Sequence, residues 1–197
     1  MLEDPIALMN MYQQYISLHQ GEVERQYMFK NFVAHTAFDD LYNRKNFEGH
    51  ITASAIIIAH DEPQMLLLHH KSLDRWLQPG GHVDYTDDSI LSASLREAHE
   101  ETNIKPSDLE LISPGSSERI PIDLDSHYIP VNPAKSEDQH YHHDIRFLYR
   151  YKGSRDILIN MAESRNYRWI GFEELSQDKT FARLVEKIQQ LVSGRSV

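Results

Sequence analysis

Pro79-Gly80-Gly81-His82-Val83-Asp84, followed closely by Ser94-Leu95-Arg96-Glu97-Ala98-His99-Glu100-Glu101-Thr102-Asn103-Ile104, decides the reading of this chain. A glycine turn feeds a helix running from about Ser89 to Thr102. With about 100° per residue and Glu97 at zero, Glu101 lies near 40° and Glu100 near 300°, so the three carboxylates share an arc of about 100°. Leu91, Leu95 and Ala98 gather on another side, where they can pack on a sheet. Crowded carboxylates repel one another. A fold that keeps them together generally has a cation to place there, and Glu97 and Glu101 are one turn apart, within reach of one hard ion. Arg96 and Glu100 are also one turn apart and can pair. Gly80 and Gly81 allow a tight turn and a close approach to the cluster, where a carbonyl can act as a further ligand. The bland alternative, a solvated charged helix face, is weakened by the glycine turn upstream.

Asp88 is placed to cap the helix, since a carboxylate accepts the free N–H groups of a first turn. Asn103 is placed to end it in a left-handed turn. Upstream, Ile51 to Ala59 is β-branched and apolar and reads as a strand. His60 to Gln64 turns, and Met65 to His70 returns as the second strand of a hairpin. Downstream, Leu109 to Ile112, residues 119 to 132, His140 to Lys152 and Tyr167 to Ile170 read as strands. Thr180 to Val192 closes as a helix with Phe181, Leu184, Val185, Ile188 and Leu191 on one stripe. Residues 1–47 form an N-terminal helical extension, with runs before and after Gly21, packed on the domain or on a partner subunit as in a homodimer, with a cap over the active site as the functional option. Residues 48–197 form the main domain. The class is α+β with a mixed sheet.

The 197 residues, 40% hydrophobic and 25% charged, suit a globular protein of one domain plus an extension. There is no apolar run near the roughly 18 residues of a membrane span, and the acidic start does not read as a secretory signal. Cysteine is absent, which excludes disulfides, thiolate nucleophiles and cysteine zinc sites and fits a cytoplasmic protein. The net charge of -10 argues against an extended nucleic-acid surface. An acidic protein that handles phosphates needs cations to do so.

The residues from Gly81 to Ile104 resemble the Nudix box, Gly-x5-Glu-x7-Arg-Glu-U-x-Glu-Glu-x-Gly-U, where U is a bulky apolar residue. Arg96-Glu97-Ala98-His99-Glu100-Glu101 matches its core and Ile104 its end. Three positions depart from it: one residue is inserted between Gly81 and the first acid, Asp88 stands for that acid, and Asn103 stands for the last glycine. The resemblance implies a Nudix-like α/β/α sandwich with a mixed β-sheet. It implies hydrolysis of the pyrophosphate bond in a small-molecule nucleotide or nucleoside-diphosphate derivative. On this resemblance Gly81, Glu97, Glu100 and Glu101 hold Mg2+ or Mn2+. Glu100, Glu101 and Arg96 serve the chemistry, and the base is Glu100 or a carboxylate of a later loop such as Glu137. The alternative is a Nudix-fold module that binds or senses a nucleotide with little or no catalysis. An isomerase on the same fold is disfavoured for want of a cysteine.

A second constellation lies on two later strands. Asp123, Asp125 and His127 alternate on one, and His140, His142 and Asp144 on the next, so each set points one way. If the strands are neighbours, these six share a sheet face. Three readings stand: the lining of a substrate pocket, a hydrogen-bonded polar face, or a second metal site such as zinc. His82 and Arg146 are candidates for phosphate oxygens, and Trp76, Tyr128 and Tyr141 for stacking on a base.

Overall fold

The computed structural model describes residues 1–115, 119–133 and 136–193. Its centre is strand β1 (His50–Ala59), buried at every position. A strand buried on both faces needs apolar cover on each, and the Ile and Ala run supplies both sides. Ile51, Ala53, Ala55 and Ile57 face one core, Ile56 and Ile58 the other. β1 returns antiparallel as β2 (Gln64–His70), with Ile58 opposite Met65. β3 (Arg75–Leu77) and β4 (Gly80–His82) follow. After helix α4 (Ile90–Thr102) come β5 (Leu109–Ile112), β6 (Asp123–Ile129), β7 (His140–Tyr151) and β8 (Ser164–Gly171). The sheet has eight strands, ordered β3-β2-β1-β7-β5, with β4 on β1, β6 on β7 and β8 on β2. β7 runs parallel to β1 along the whole of β1, while the other strand pairs are antiparallel, so the sheet is mixed as expected.

Helices cover both faces. The first carries α4 together with the N-terminal α1 (Pro5–Leu18), α2 (Tyr27–His35) and α3 (Phe38–Leu41). Leu8, Tyr12, Tyr15, Phe29, Val33 and Leu41 enter the same core as Ile90, Ala93 and Ala98 of α4. The extension packs on its own domain, one of the placements expected for it. The other face carries α5 (Phe172–Ser176) and α6 (Ala182–Ser193), with Phe181, Leu184, Val185 and Ile188 buried on it.

Several boundaries differ from expectation. The run after Gly21 is broken, because Thr36 takes an extended backbone between α2 and α3. Ile120 and Ile122 are buried, but the strand begins only at Asp123, beyond Pro121, which has no N–H for a ladder. α4 is capped by Ser89, not Asp88. The Ser89 hydroxyl accepts the Ser92 N–H while Ser92 Oγ accepts the Ser89 N–H. This reciprocal pair starts the helix one residue later than a cap at Asp88 would. Asn103 ends α4 with φ 54°, as expected, and its side-chain amide donates to the Leu158 carbonyl.

The extension also grips the start of α4. The Met1 ammonium donates to the Asp88 carbonyl at 2.7 Å, and the Ile90 N–H donates to Glu3 Oε2 at 3.0 Å. A carboxylate against a helix N-terminus is favoured by the helix dipole.

Candidate active site

β4 is squeezed between two neighbours, and this explains its two glycines. A Cβ on Gly80 would collide with Ser54 Oγ and lie 2.8 Å from the Ala53 carbonyl oxygen. A Cβ on Gly81 would lie 2.7 Å from the carboxylate of Glu97. Neither glycine has a positive φ. Close approach, and not turn conformation, is what requires glycine here. The two missing side chains point to opposite faces, as successive strand residues do. Glu97 therefore stands on the α4 side of β4, and Ser54 on the other.

On the α4 side the carboxylates converge as the helical arithmetic predicts. Glu101 is 6% exposed and accepts the Gly80 N–H at 3.2 Å. Burial pushes its pKa up to about 8, and Glu97, Glu163 and Glu100 push the same way. Glu97 is pushed up to about 7, again chiefly by burial, with Arg96 opposing and Glu100 and Glu163 adding repulsion. Glu100 is half exposed at the rim. Leu91 and Leu95 are only partly buried, and the fully buried side of α4 is formed by Ile90, Ala93, Ser94 and Ala98.

Arg96 does more than pair with Glu100. That contact is its longest of these ion pairs but one, at 3.4 Å. Its Nη1 donates to Glu97 Oε1 at 2.9 Å and its Nη2 to the His82 carbonyl at 2.9 Å. Nε and Nη2 grip both oxygens of Asp87, at 3.0 and 2.9 Å. Asp87 Oδ2 also accepts the Asp84 N–H at 2.9 Å. The acid that serves Arg96 is thus Asp87, not Asp88. Counted from Gly81, Asp87 stands at the spacing of the pattern, and the extra residue falls after it, before the Ser89 cap.

Glu163 was not anticipated. It reaches the cluster because Asn160 donates its backbone N–H to the Glu101 carbonyl at 2.8 Å and its amide to Glu163 Oε1 at 3.0 Å. The later-loop carboxylate beside the site is therefore Glu163. Glu137, expected in that place, is held by Arg44 at 3.2 Å and by the backbone of Asn132. Sequence offers one faint signal for Glu163, an isolated acid in the loop before the last strand.

The second constellation does share a face, because β6 and β7 are neighbours, with Asp125 opposite Asp144, His127 opposite His142 and Asp123 opposite Arg146. It is the face away from Glu97, and its members separate into two groups. The carboxylates enter an ion network. Arg146 donates to Asp144 at 2.8 Å, Asp125 at 2.9 Å and Asp123 at 3.1 Å. Arg25 of the extension reaches Asp123 and Asp125, and Lys187 of α6 reaches Asp123 at 2.7 Å and Glu22 at 2.6 Å. Against the cost of burial, Arg146, Lys187 and Arg25 hold Asp123 below the usual carboxylate range, and the hydrogen bond with His127 together with Arg146 and Arg25 does the same for Asp125. Asp144 also accepts from Thr52, Ser54 and Gln78. Arg146, 8% exposed with three nitrogens spent on carboxylates, is placed as a structural cation and not as a phosphate contact.

The histidines form the other group. His140 and His142 are joined through their Nε2 atoms at 3.2 Å, and His127 lies beside His142. His50, which the sequence reading passed over, stacks on His82 and His140 with ring centres 5.0 and 4.9 Å apart. Burial and the neighbouring imidazoles hold His50 down to about 4 and His142 to about 2. The stacking candidates are engaged elsewhere: Trp76 lies against His69 and under Arg168, and Tyr128 packs edge-on to Tyr141.

Comparison with known proteins places this geometry. The family model for the NUDIX domain matches residues 49–191. A Lactococcus lactis protein named "Probable DHNTP pyrophosphohydrolase" is 28% identical over 109 residues, covering 55% of this chain and 58% of that protein. The Mus musculus bis(5'-nucleosyl)-tetraphosphatase (asymmetrical) is 28% identical over 126 residues, covering 64% and 76%. The crystal structure of a Caenorhabditis elegans Ap4A hydrolase binary complex superposes with a TM-score of 0.55 at 21% identity, covering 73% of this chain and 98% of that one. The chain thus spans under two thirds of the Lactococcus relative, and at this identity the structural likeness speaks for the fold.

Proposed function

This chain belongs to the NUDIX domain family, and from that premise we propose that it hydrolyses the pyrophosphate bond of a nucleotide or nucleoside-diphosphate derivative with the help of Mg2+ or Mn2+. The observation that carries the reading is the convergence of Glu97, Glu100, Glu101 and Glu163 beside Gly81. The donor set fits a hard divalent cation, which favours carboxylate and carbonyl oxygen. The raised pKa values of Glu97 and Glu101 agree, since burial and mutual repulsion disfavour both anions even with Arg96 beside Glu97, and a bound cation would offset that. Bound to Glu97, Glu100, Glu101 and the Gly81 carbonyl, such an ion would neutralise the pyrophosphate and lower the pKa of a water.

The chain's own groups have distinct tasks. Arg96 draws Glu97 and Glu100 into place and ties them, through Asp87 and the His82 carbonyl, to the loop after β4. The Gly80 N–H orients Glu101. We assign the proton from the attacking water to Glu163, which is exposed on its loop and whose charge is felt by both Glu97 and Glu101. Asp87 grips Arg96 with both oxygens and so supports the core glutamates.

The organic part of the substrate is open among triphosphates such as dihydroneopterin triphosphate and dinucleoside polyphosphates such as Ap4A, the compounds in the relatives' names. The test is a substrate panel of these with Mg2+ or Mn2+, run on the wild type and on Glu163→Gln and Glu137→Gln. Glu163→Gln is expected to lower kcat by about 10²-fold or more, with Glu137→Gln near wild type. Metal-independent turnover, or none on any phosphoanhydride, would refute the reading.

A further inference from the structure

We propose that His50, His82 and His142 form a binding site for one transition-metal cation of the Zn2+ class, separate from the carboxylate site. One ring nitrogen from each of these residues lies within 4.8 Å of the other two. The three come from three strands that the sheet pairs directly. His50 of β1 is the cross-strand partner of His142 of β7, and His82 of β4 is the partner of Thr52, two residues along β1. All three lie on the face of β4 away from Glu97, as the missing side chains of Gly80 and Gly81 establish.

A second observation points to a ligand independently. His50 is 1% exposed, and its Nε2 is buried without a hydrogen-bond partner. Buried polar atoms in native folds are nearly always satisfied, and an orphan calls for an unseen partner. Its other nitrogen, Nδ1, faces the Asn46 carbonyl at 3.5 Å. That is the arrangement of a metal-ligating histidine, with one nitrogen turned to a carbonyl and the other left for the metal. With both rings neutral, the hydrogen bonds also assign a tautomer to His142. His140 donates from Nδ1 to the Asp138 carbonyl at 2.6 Å, so its Nε2 accepts from His142 Nε2–H. His142 Nδ1 then keeps its lone pair.

Ligand chemistry selects the metal. Imidazole suits Zn2+, Ni2+, Cu2+ and Co2+, whereas Mg2+ and Ca2+ take oxygen. The oxygens of Asp144, on the same sheet face, already accept from Arg146, Thr52, Ser54 and Gln78, so that carboxylate is committed to its own network. Ring nitrogens within 4.8 Å of one another are close enough to converge on one Zn2+ at about 2.0–2.1 Å each with small rotations of the rings. Three protein ligands leave a fourth position for water. The ion would fasten β4, and with it the Gly80-Gly81 turn that abuts Glu97, onto β1 and β7. This inference does not depend on the proposed hydrolysis.

The test is equilibrium dialysis of the full chain against Zn2+ in excess Mg2+, with Co2+ absorption as a second readout. The expected result is one Zn2+ per chain, with Co2+ giving the intense visible spectrum of a four-coordinate nitrogen site. His50→Gln and His142→Gln are each expected to weaken Zn2+ binding by about 100-fold or more, beyond the loss typical of an outer-shell change. Glu97→Gln is expected to leave it unchanged. Zn2+ is also expected to raise the wild-type Tm by several degrees, roughly as mass action predicts, which reads the site without any variant. Zn2+ that is displaced by Mg2+, or lost in Glu97→Gln and kept in His142→Gln, would overturn the proposal, as would a Co2+ spectrum of the octahedral aqua type.

Discussion

Glu101→Gln is predicted to make the metal-free protein more stable at alkaline pH while destroying its activity. Glu101 is 6% exposed, and its pKa stands at about 8 against an ordinary 4.5. A carboxylate whose folded pKa is raised holds its proton more tightly in the fold than in the unfolded chain. Its stabilising effect is complete below about pH 4.5 and is lost as pH rises through about 8. At about 1.36 kcal/mol per unit, the shift corresponds to about 4–5 kcal/mol lost between pH 4.5 and pH 8.5. Glutamine keeps the shape, carries no charge and still offers Oε1 to the Gly80 N–H. The variant therefore escapes most of the loss. The assay is urea unfolding in EDTA at pH 5 and pH 8.5. With an m-value of about 2 kcal/mol/M, the variant's midpoint is expected about 1–2 M above wild type at pH 8.5 and close to it at pH 5. Saturating Mg2+ is expected to close the gap at pH 8.5 by stabilising only the wild type. Equal midpoints in EDTA at both pH values would refute the reasoning.

Gly81→Ala places a methyl 2.7 Å from the Glu97 carboxylate and is expected to cut kcat by at least about 10²-fold with the fold intact by circular dichroism. Asp87→Ala removes the two-oxygen grip on Arg96 and is expected to lower kcat about 10-fold or more, while Asp88→Ala stays near wild type in the same assay. Lys187→Met leaves Asp123 and Glu22 short of a buried cation and is expected to cost about 3–5 kcal/mol by chemical denaturation.

The local features of the centre were legible because local chemistry carries them. The Ile and Ala run of β1 reads directly as a strand buried on both faces, Asn103 reads as a helix stop, and the arc of Glu97, Glu100 and Glu101 follows from helix geometry. What escaped depends on contacts between distant parts of the chain. Glu163 joins the site only because Asn160 folds back on the Glu101 carbonyl. Arg146 looked available for phosphate until Asp123, Asp125 and Asp144 closed around it. His50 sits in an apolar strand with no motif, and its role appears only through the pairing of β1 with β4 and β7. The choice between Asp87 and Asp88 turned on the Ser89–Ser92 cap, a competition between adjacent residues that spacing alone does not resolve.

The central claim, that Glu97, Glu100 and Glu101 hold the divalent cation that hydrolysis needs, is tested most directly by titrating Mn2+ into the protein and counting free Mn2+ by electron paramagnetic resonance. The account predicts Mn2+ binding that Mg2+ displaces, that weakens sharply in Glu97→Gln, and that falls together with turnover. Mn2+ binding of undiminished affinity in Glu97→Gln would contradict it.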